Sequence, residues 1–338
     1  MAKRRMNGKR SKIEPAVMTL YMPTSSVGGG TPSITEYIDL SQVASLVNRR
    51  FYRQGLNWAV AGIKVLTQEG FAGSILCAKL PNTWVMSNAW EKSFRAWQRM
   101  NSEALAETES VRPRFLDFKV YADDDHHSAG YGGNLLPQAL DGAFAAGEWE
   151  PSTIVIPDTA APGTVDNREL IAVGSNYPGA GASGNQAVSL IEGYAASRGL
   201  PNVLDPNTPD DAADVDGAAP DNWMQAMFNE GTQRDAAVLD DMITENNIAP
   251  YPFENDGVNN DTMYPGGANQ GTGLQIHDVN FISNTTIGGQ THIKGGNFPC
   301  GLIRFDITNT GSTSNLILQI DLMPGSHRGY LAESMTEM

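Results

Sequence analysis

The clearest regularity along the chain is a two-residue alternation near its C-terminal end. In residues 302–308 (LIRFDIT), Ile303, Phe305 and Ile307 fall on one face. In residues 315–322 (NLILQIDL), Leu316, Leu318, Ile320 and Leu322 do the same. Period two with one apolar face marks a half-buried strand. The stretch between them, NTGSTS, is turn chemistry, so the two predict an antiparallel hairpin. Residues 34–40, 56–68, 73–80, 115–121, 153–158 and 168–174 read as further strands. A Gly-containing turn joins 56–68 to 73–80 and predicts a second hairpin. In 115–121, Leu116, Phe118 and Val120 share a face. Helical spacing is best at 87–107, with Trp90, Phe94, Trp97 and Leu105 in register and Ser87 as N-cap. Residues 185–197 and 221–245 are further helix candidates. Residues 23–33 (PTSSVGGGTPS) have linker composition, so the ordered body is expected to begin near Ile34.

Composition narrows the class. The 338 residues are 41% hydrophobic, which suffices for one large folded domain or two modest ones and excludes a wholly disordered chain. Two cysteines, Cys77 and Cys300, exclude a disulfide scaffold and read as buried free thiols. No apolar run reaches about 18 residues, so no membrane span is expected. The stretch Ile13 to Met22 is broken by Glu14, Pro15 and Thr19 and does not read as a secretory signal, so the sequons at Asn260 and Asn284 are expected to go unused.

Charge changes the picture more. The formal net charge is −15, but it is unevenly spread. Residues 1–12 hold Lys3, Arg4, Arg5, Lys9, Arg10 and Lys12 with no acid. Residues 201–262 hold 14 acids and one base, Arg234. A short basic arm therefore precedes a strongly acidic body. The arm suits phosphate neutralisation, and the acidic stretch suits a solvated surface insertion. Arg49, Arg50 and Arg53 form a second basic cluster, RRFYRQ, interleaved with Phe51 and Tyr52. Arginine with aromatics can hold a single strand by ion pairing and stacking. The alternative is a turn whose arginines pair with neighbouring acids.

Three further motifs bear on chemistry. Gly179–Gly184 (GAGASG) matches G-x-G-x-x-G, with a strand candidate before it, a helix candidate after it and Asp205 about 20 residues on. That is the basis of an alternative reading as a nucleotide-binding enzyme. Four residues, Ser175 to Pro178, separate the strand end from the first glycine and loosen the match. Asp123, Asp124, Asp125, His126 and His127 form a dense run of metal-ligand types, a candidate site for a structural divalent cation shared between subunits. The alternative there is a polar loop. Asp214 and Asp216 begin a calcium-loop pattern, but Ala212 and Trp223 occupy its first and twelfth positions, so it fails. No nucleophile elbow, P-loop, zinc-protease helix or C-x-x-C pair occurs, and the chain is expected not to be an enzyme.

The strand-rich pattern suits an all-β fold, a single eight-stranded antiparallel jelly roll with helical and loop insertions between strands. Its domain would be residues 34–338, preceded by the arm and linker of residues 1–33. Specific segments also resemble capsid proteins of small circular single-stranded DNA viruses that encode a replication initiator. These are Leu80–Trp84 (LPNTW), Asn88–Trp97 (NAWEKSFRAW), Phe115–Tyr121 (FLDFKVY), Phe298–Arg304 (FPCGLIR) and Leu322–Tyr330 (LMPGSHRGY). The likeness covers roughly residues 55–160 and 295–338 and is weak over 175–290. It implies a coat protein forming an icosahedral shell of 60 copies or a multiple around circular single-stranded DNA. The arm would face inward and the acidic loops outward. The implied location is the virion, with the host nucleus as a place of assembly, and the host receptor is left open. The arm is shorter than in many of the proteins it resembles. A non-assembling β-sandwich binding protein is the remaining alternative.

Overall fold

In the computed structural model, which describes residues 15–108, 110, 117–158, 164–176, 178–197, 222–228, 273–283, 285 and 289–338, the alternating segments become the strands of a sandwich. Its elements are β1 (Thr19–Pro23), β2 (Ser33–Asp39), α1 (Leu40–Asn48), β3 (Leu56–Leu66), β4 (Gly73–Lys79) and α2 (Trp84–Glu107). There follow α3 (Asp124–Ala129), β5 (Thr153–Asp158), β6 (Thr164–Ile171), β7 (Gln186–Ser189), α4 (Leu190–Ser197) and α5 (Trp223–Ala226). The chain closes with β8 (Gln275–Ile282), β9 (Gln290–Phe298), β10 (Leu302–Asn309), β11 (Ile317–Leu322) and β12 (Ala332–Ser334).

Two antiparallel sheets face each other. One runs β1-β11-β3-β9, with β12 added beside the start of β3, and the other runs β8-β4-β10-β2. Successive strands of the sandwich alternate between the sheets from β1 to β4, and again from β8 to β11. Ile303, Phe305 and Ile307 of β10 meet Leu318, Ile320 and Leu322 of β11 in one core with Ile63, Val65 and Ile75. Each such side chain contributes roughly 1.5–3 kcal/mol when fully buried.

This arrangement corrects both predicted hairpins. β10 pairs with β2 and β4, and β11 pairs with β1 and β3, so the two lie across the core from one another. β3 and β4 are likewise in opposite sheets. A one-faced strand can bury its face beside its neighbour or opposite it, and periodicity specifies only the face.

The turns at one end of the sandwich are knitted together. Asn309, nearly fully buried, donates from Nδ2 to Val27 O (3.0 Å) and Ser312 O (2.7 Å), and its Oδ1 accepts from Ala72 N (3.2 Å) and Gly311 N (2.8 Å). Val27 is fully buried and bridges Ser314. The ordered body therefore includes β1 and the expected linker at 23–33, rather than beginning near Ile34. Polar turn composition concealed the hydrogen bonding that ties this segment down.

At the other end, the segment between β4 and β8 builds a second core. α2 packs on α4 and on β5–β7, with Trp90, Trp97, Phe118, Ile154, Leu170, Tyr194 and Trp223 buried together. Thr83 caps α2, and the predicted cap, Ser87, donates instead to Met335 O at 2.6 Å. Within 115–121 the described residues form no ladder beyond a bridge from Tyr121 to Ile171. Val120 N donates to Gln54 Oε1 (2.6 Å), so a side chain replaces the expected strand partner. β6 and β7 run parallel, a departure from the all-antiparallel expectation. The first residues of the predicted 185–197 helix are β7 itself. Asn222, Trp223, Met224, Ala226 and Met227 are buried, and Trp223 Nε1 donates to Ser189 O (3.1 Å). That part of the acidic segment is an anchor rather than surface. The rest of residues 201–262 lies outside the described residues.

Candidate nucleic-acid interface

Three stretches distant in sequence meet at the start of β1. Helix α1 ends at Asn48, whose Oδ1 accepts from Val17 N (3.0 Å) and whose Nδ2 donates to the Tyr330 hydroxyl (2.8 Å). Tyr330 in turn donates to Val17 O (2.6 Å). The backbone leaving the basic arm is thus fastened one residue before Arg49 and two residues after Arg328. Lys3, Arg4, Arg5, Lys9, Arg10 and Lys12 lie outside the described residues.

Arg49 caps α1 in the left-handed conformation (φ 54°) and is exposed. Arg50 is half-buried, and Arg53 is exposed. Arg328, also exposed with positive φ, donates from Nη1 to Phe51 O, and its carbonyl accepts from the Tyr52 hydroxyl (3.0 Å). Tyr52 is fully buried, with its ring 5.5 Å from that of Tyr330 and 5.9 Å from that of Trp58. The aromatic that interleaves the arginines therefore divides: Tyr52 is an anchor, whereas Phe51 stays half-buried against Trp149, 6.4 Å away. Gln54 fixes the far end of the segment, donating to Asp39 Oδ2 (3.1 Å), Val120 O (3.1 Å) and the Tyr131 hydroxyl (3.1 Å). Asp39 is wholly buried and caps α1. Burial raises its pKa, while hydrogen bonds from Ser41, Gln54, Trp149 and Gln42 oppose that rise. The result is a rigid corner bearing Arg49, Arg50, Arg53 and Arg328. Sequence reasoning missed Arg328, because its only local signal is one basic residue in a turn.

Four of the five residues of the metal-ligand run already have partners. Asp123 caps α3 and accepts from the Tyr37 hydroxyl (2.7 Å) and from Arg304 Nη1 (2.7 Å). Asp125 accepts from the same Arg304 nitrogen at 2.9 Å. Carboxylate oxygens of Asp123, Asp124 and Asp125 lie within 4.8 Å of one another, but a guanidinium already supplies positive charge there. His126 turns inward. Its Nδ1 accepts from Ala122 N (3.0 Å), and Nε2 faces Asn134 Oδ1 (2.8 Å), which assigns the proton to Nε2. Burial pushes this imidazole down to about 3. His127 Nε2 faces Glu169 Oε2 at 3.0 Å, both side chains nearly inaccessible, without an aligned hydrogen bond. His126 and His127 thus turn away from the three carboxylates, so the run of five does not form one site, and only Asp123, Asp124 and Asp125 stay together.

The glycine-rich loop lies over this pair. Ala182 N donates to His127 O (3.2 Å), and a Cβ on Gly181 would stand 2.4 Å from His127 Nε2. The loop leads into β7, and α4 begins only at Leu190. The helix expected directly after the motif is therefore absent, and with it the helix N-terminus that would receive a pyrophosphate. Asp205 lies outside the described residues, as do Asp214, Asp216, Asn260 and Asn284. Cys77 and Cys300 are free and buried, and burial pushes both thiols up. Among the described residues no helix is long and apolar enough to cross a membrane.

No family model, curated protein or solved structure matches the chain.

Proposed function

We propose that this chain is the coat protein of a small circular single-stranded DNA virus. It self-assembles as 60 copies or a multiple into an icosahedral shell, in a non-catalytic role, and is carried in the virion after assembly in the host nucleus. The observation that carries this reading is the meeting of the arm's root with Arg49, Arg50, Arg53 and Arg328 at one corner of the sandwich. The sequence then carries six arm charges into a corner that bears four more, while acids dominate the rest of the body. Such polarity across a wall attracts DNA on the inside and keeps finished particles apart on the outside.

Strand order supports the jelly-roll part of the reading. Numbered along the chain, the eight sandwich strands run 1-8-3-6 in one sheet and 5-4-7-2 in the other. A jelly roll winds its strands in this way, through two Greek keys. The Gly181–His127 approach counts against the nucleotide-enzyme alternative, because it gives the glycine a packing role.

The test is deletion of residues 2–12. Shells should still form, since sandwich contacts are untouched, but they should be largely empty of nucleic acid, with the ratio of absorbance at 260 to 280 nm falling most of the way to that of protein alone. Normal DNA content in the truncated particles would overturn the assigned role of the arm.

A further inference from the structure

Beside the arginine corner lies a cleft of about 340 Å³, lined by Phe51, Trp97, Asn101, Asp117, Lys119, Glu150 and the Pro151–Thr153 stretch. Phe51 belongs to both features: its carbonyl holds Arg328, and it is one of the residues lining the cleft. The cleft wall is rigid. Lys119 N donates to Ser152 Oγ (3.0 Å), and Ser152 N donates to Lys119 O (2.9 Å). The Lys119 ammonium sits 4.5 Å from the centre of the Trp149 ring, and Asn101 Nδ2 is engaged by Trp97 O at 2.8 Å. Asn101 Oδ1 and the exposed Glu150 carboxylate are then acceptors at the cleft, and Lys119 is a donor.

Aromatic lining, a few polar groups and an arginine corner fastened to one lining residue match one ligand chemistry. We infer that this cleft takes an unpaired nucleobase of the strand whose phosphates meet the arginine corner, with Phe51 as the stacking surface and Arg328, held on the Phe51 carbonyl, on the phosphate side. Its acceptors favour bases with an exocyclic amine over thymine. The inference rests on the DNA-packaging reading and adds base contact to the phosphate contact. Stacking tolerates every base face, which suits a coat protein that must hold a whole genome. The volume, within the usual range for small-ligand sites, admits one base and not a duplex.

The test compares a mixed-sequence 12-nucleotide single-stranded DNA with the same backbone made entirely abasic. Both are titrated into the full-length protein at low salt and followed by fluorescence anisotropy. The base-bearing strand is expected to bind about tenfold tighter, the loss typical of one removed base–aromatic stack. Phe51→Ala should erase that difference. Asn101→Trp, which fills the cleft without touching the arginine segment, should do the same, so a folding defect in either variant is distinguishable from loss of the site. In the unaltered protein a thymine-only strand should bind more weakly than a cytosine-only strand. Equal binding of the base-bearing and abasic strands, or a difference that survives both variants, overturns the cleft assignment alone. No binding of either strand overturns the DNA-packaging reading and the cleft with it.

Discussion

Acid should destabilise this fold through His126. The imidazole is wholly buried, accepts from Ala122 N, faces Asn134, and is held down to about 3, against about 6.5 when unfolded. Between those values the unfolded chain binds a proton that the folded chain refuses. Stability therefore rises with pH across this window and is lost as pH falls below 6.5. With a depression of this size, linkage makes the folded state about 2 kcal/mol less stable at pH 5 than at pH 8, and about 3 kcal/mol less at pH 4. Asp117 acts in the opposite sense: burial pushes it up to about 6, so its protonation favours the folded state as pH falls from 6 towards 4. The His126 contribution is accordingly isolated by difference. In His126→Gln, the amide oxygen can accept from Ala122 and the amide nitrogen can donate to Asn134, with no titration. Urea unfolding followed by tryptophan fluorescence at pH 8 and pH 5 should show the unaltered protein losing about 2 kcal/mol more than the variant. Parallel pH profiles would refute the reasoning, because they would mean that His126 is protonated without cost inside the fold.

Two further outcomes test the packing account. Gly181→Val should destabilise the protein by about 1–3 kcal/mol, as overpacking against His127 does, and should leave any binding heat of a dinucleotide, measured by calorimetric titration, the same as in the unaltered protein. Asn309→Ala removes four hydrogen bonds that join three turns and should cost about 2–4 kcal/mol, measured as a lowered urea midpoint with an unchanged m-value.

The faces of the strands were legible from alternation alone: Ile303, Phe305 and Ile307 point into the core as their period of two requires. Their partners were not. β10 and β11 are neighbours in sequence and opposite in space, because a short turn can cross between sheets as readily as it can reverse within one. β1 escaped notice because five residues, TLYMP, are too few for a periodic signal. The RRFYRQ segment was legible as basic and aromatic, but the separate duties of Tyr52 and Phe51 depend on Tyr330 and Trp149, both distant in sequence. The Asp123–His127 run shows the converse. Its residue types fit a metal, and only the approach of Arg304, Asn134 and Glu169 shows that Asp123, Asp125, His126 and His127 have other partners. The glycine motif likewise owes its Gly181 to a histidine 54 positions earlier, which no local pattern displays.

The central claim is assembly around DNA. The most direct measurement is the size of the purified full-length protein by light scattering, with negative-stain microscopy of the same sample. A uniform population of closed shells, each holding at least 60 copies, is the predicted result. A protein that stays monomeric across concentration and salt would contradict the account and favour a non-assembling β-sandwich binding protein.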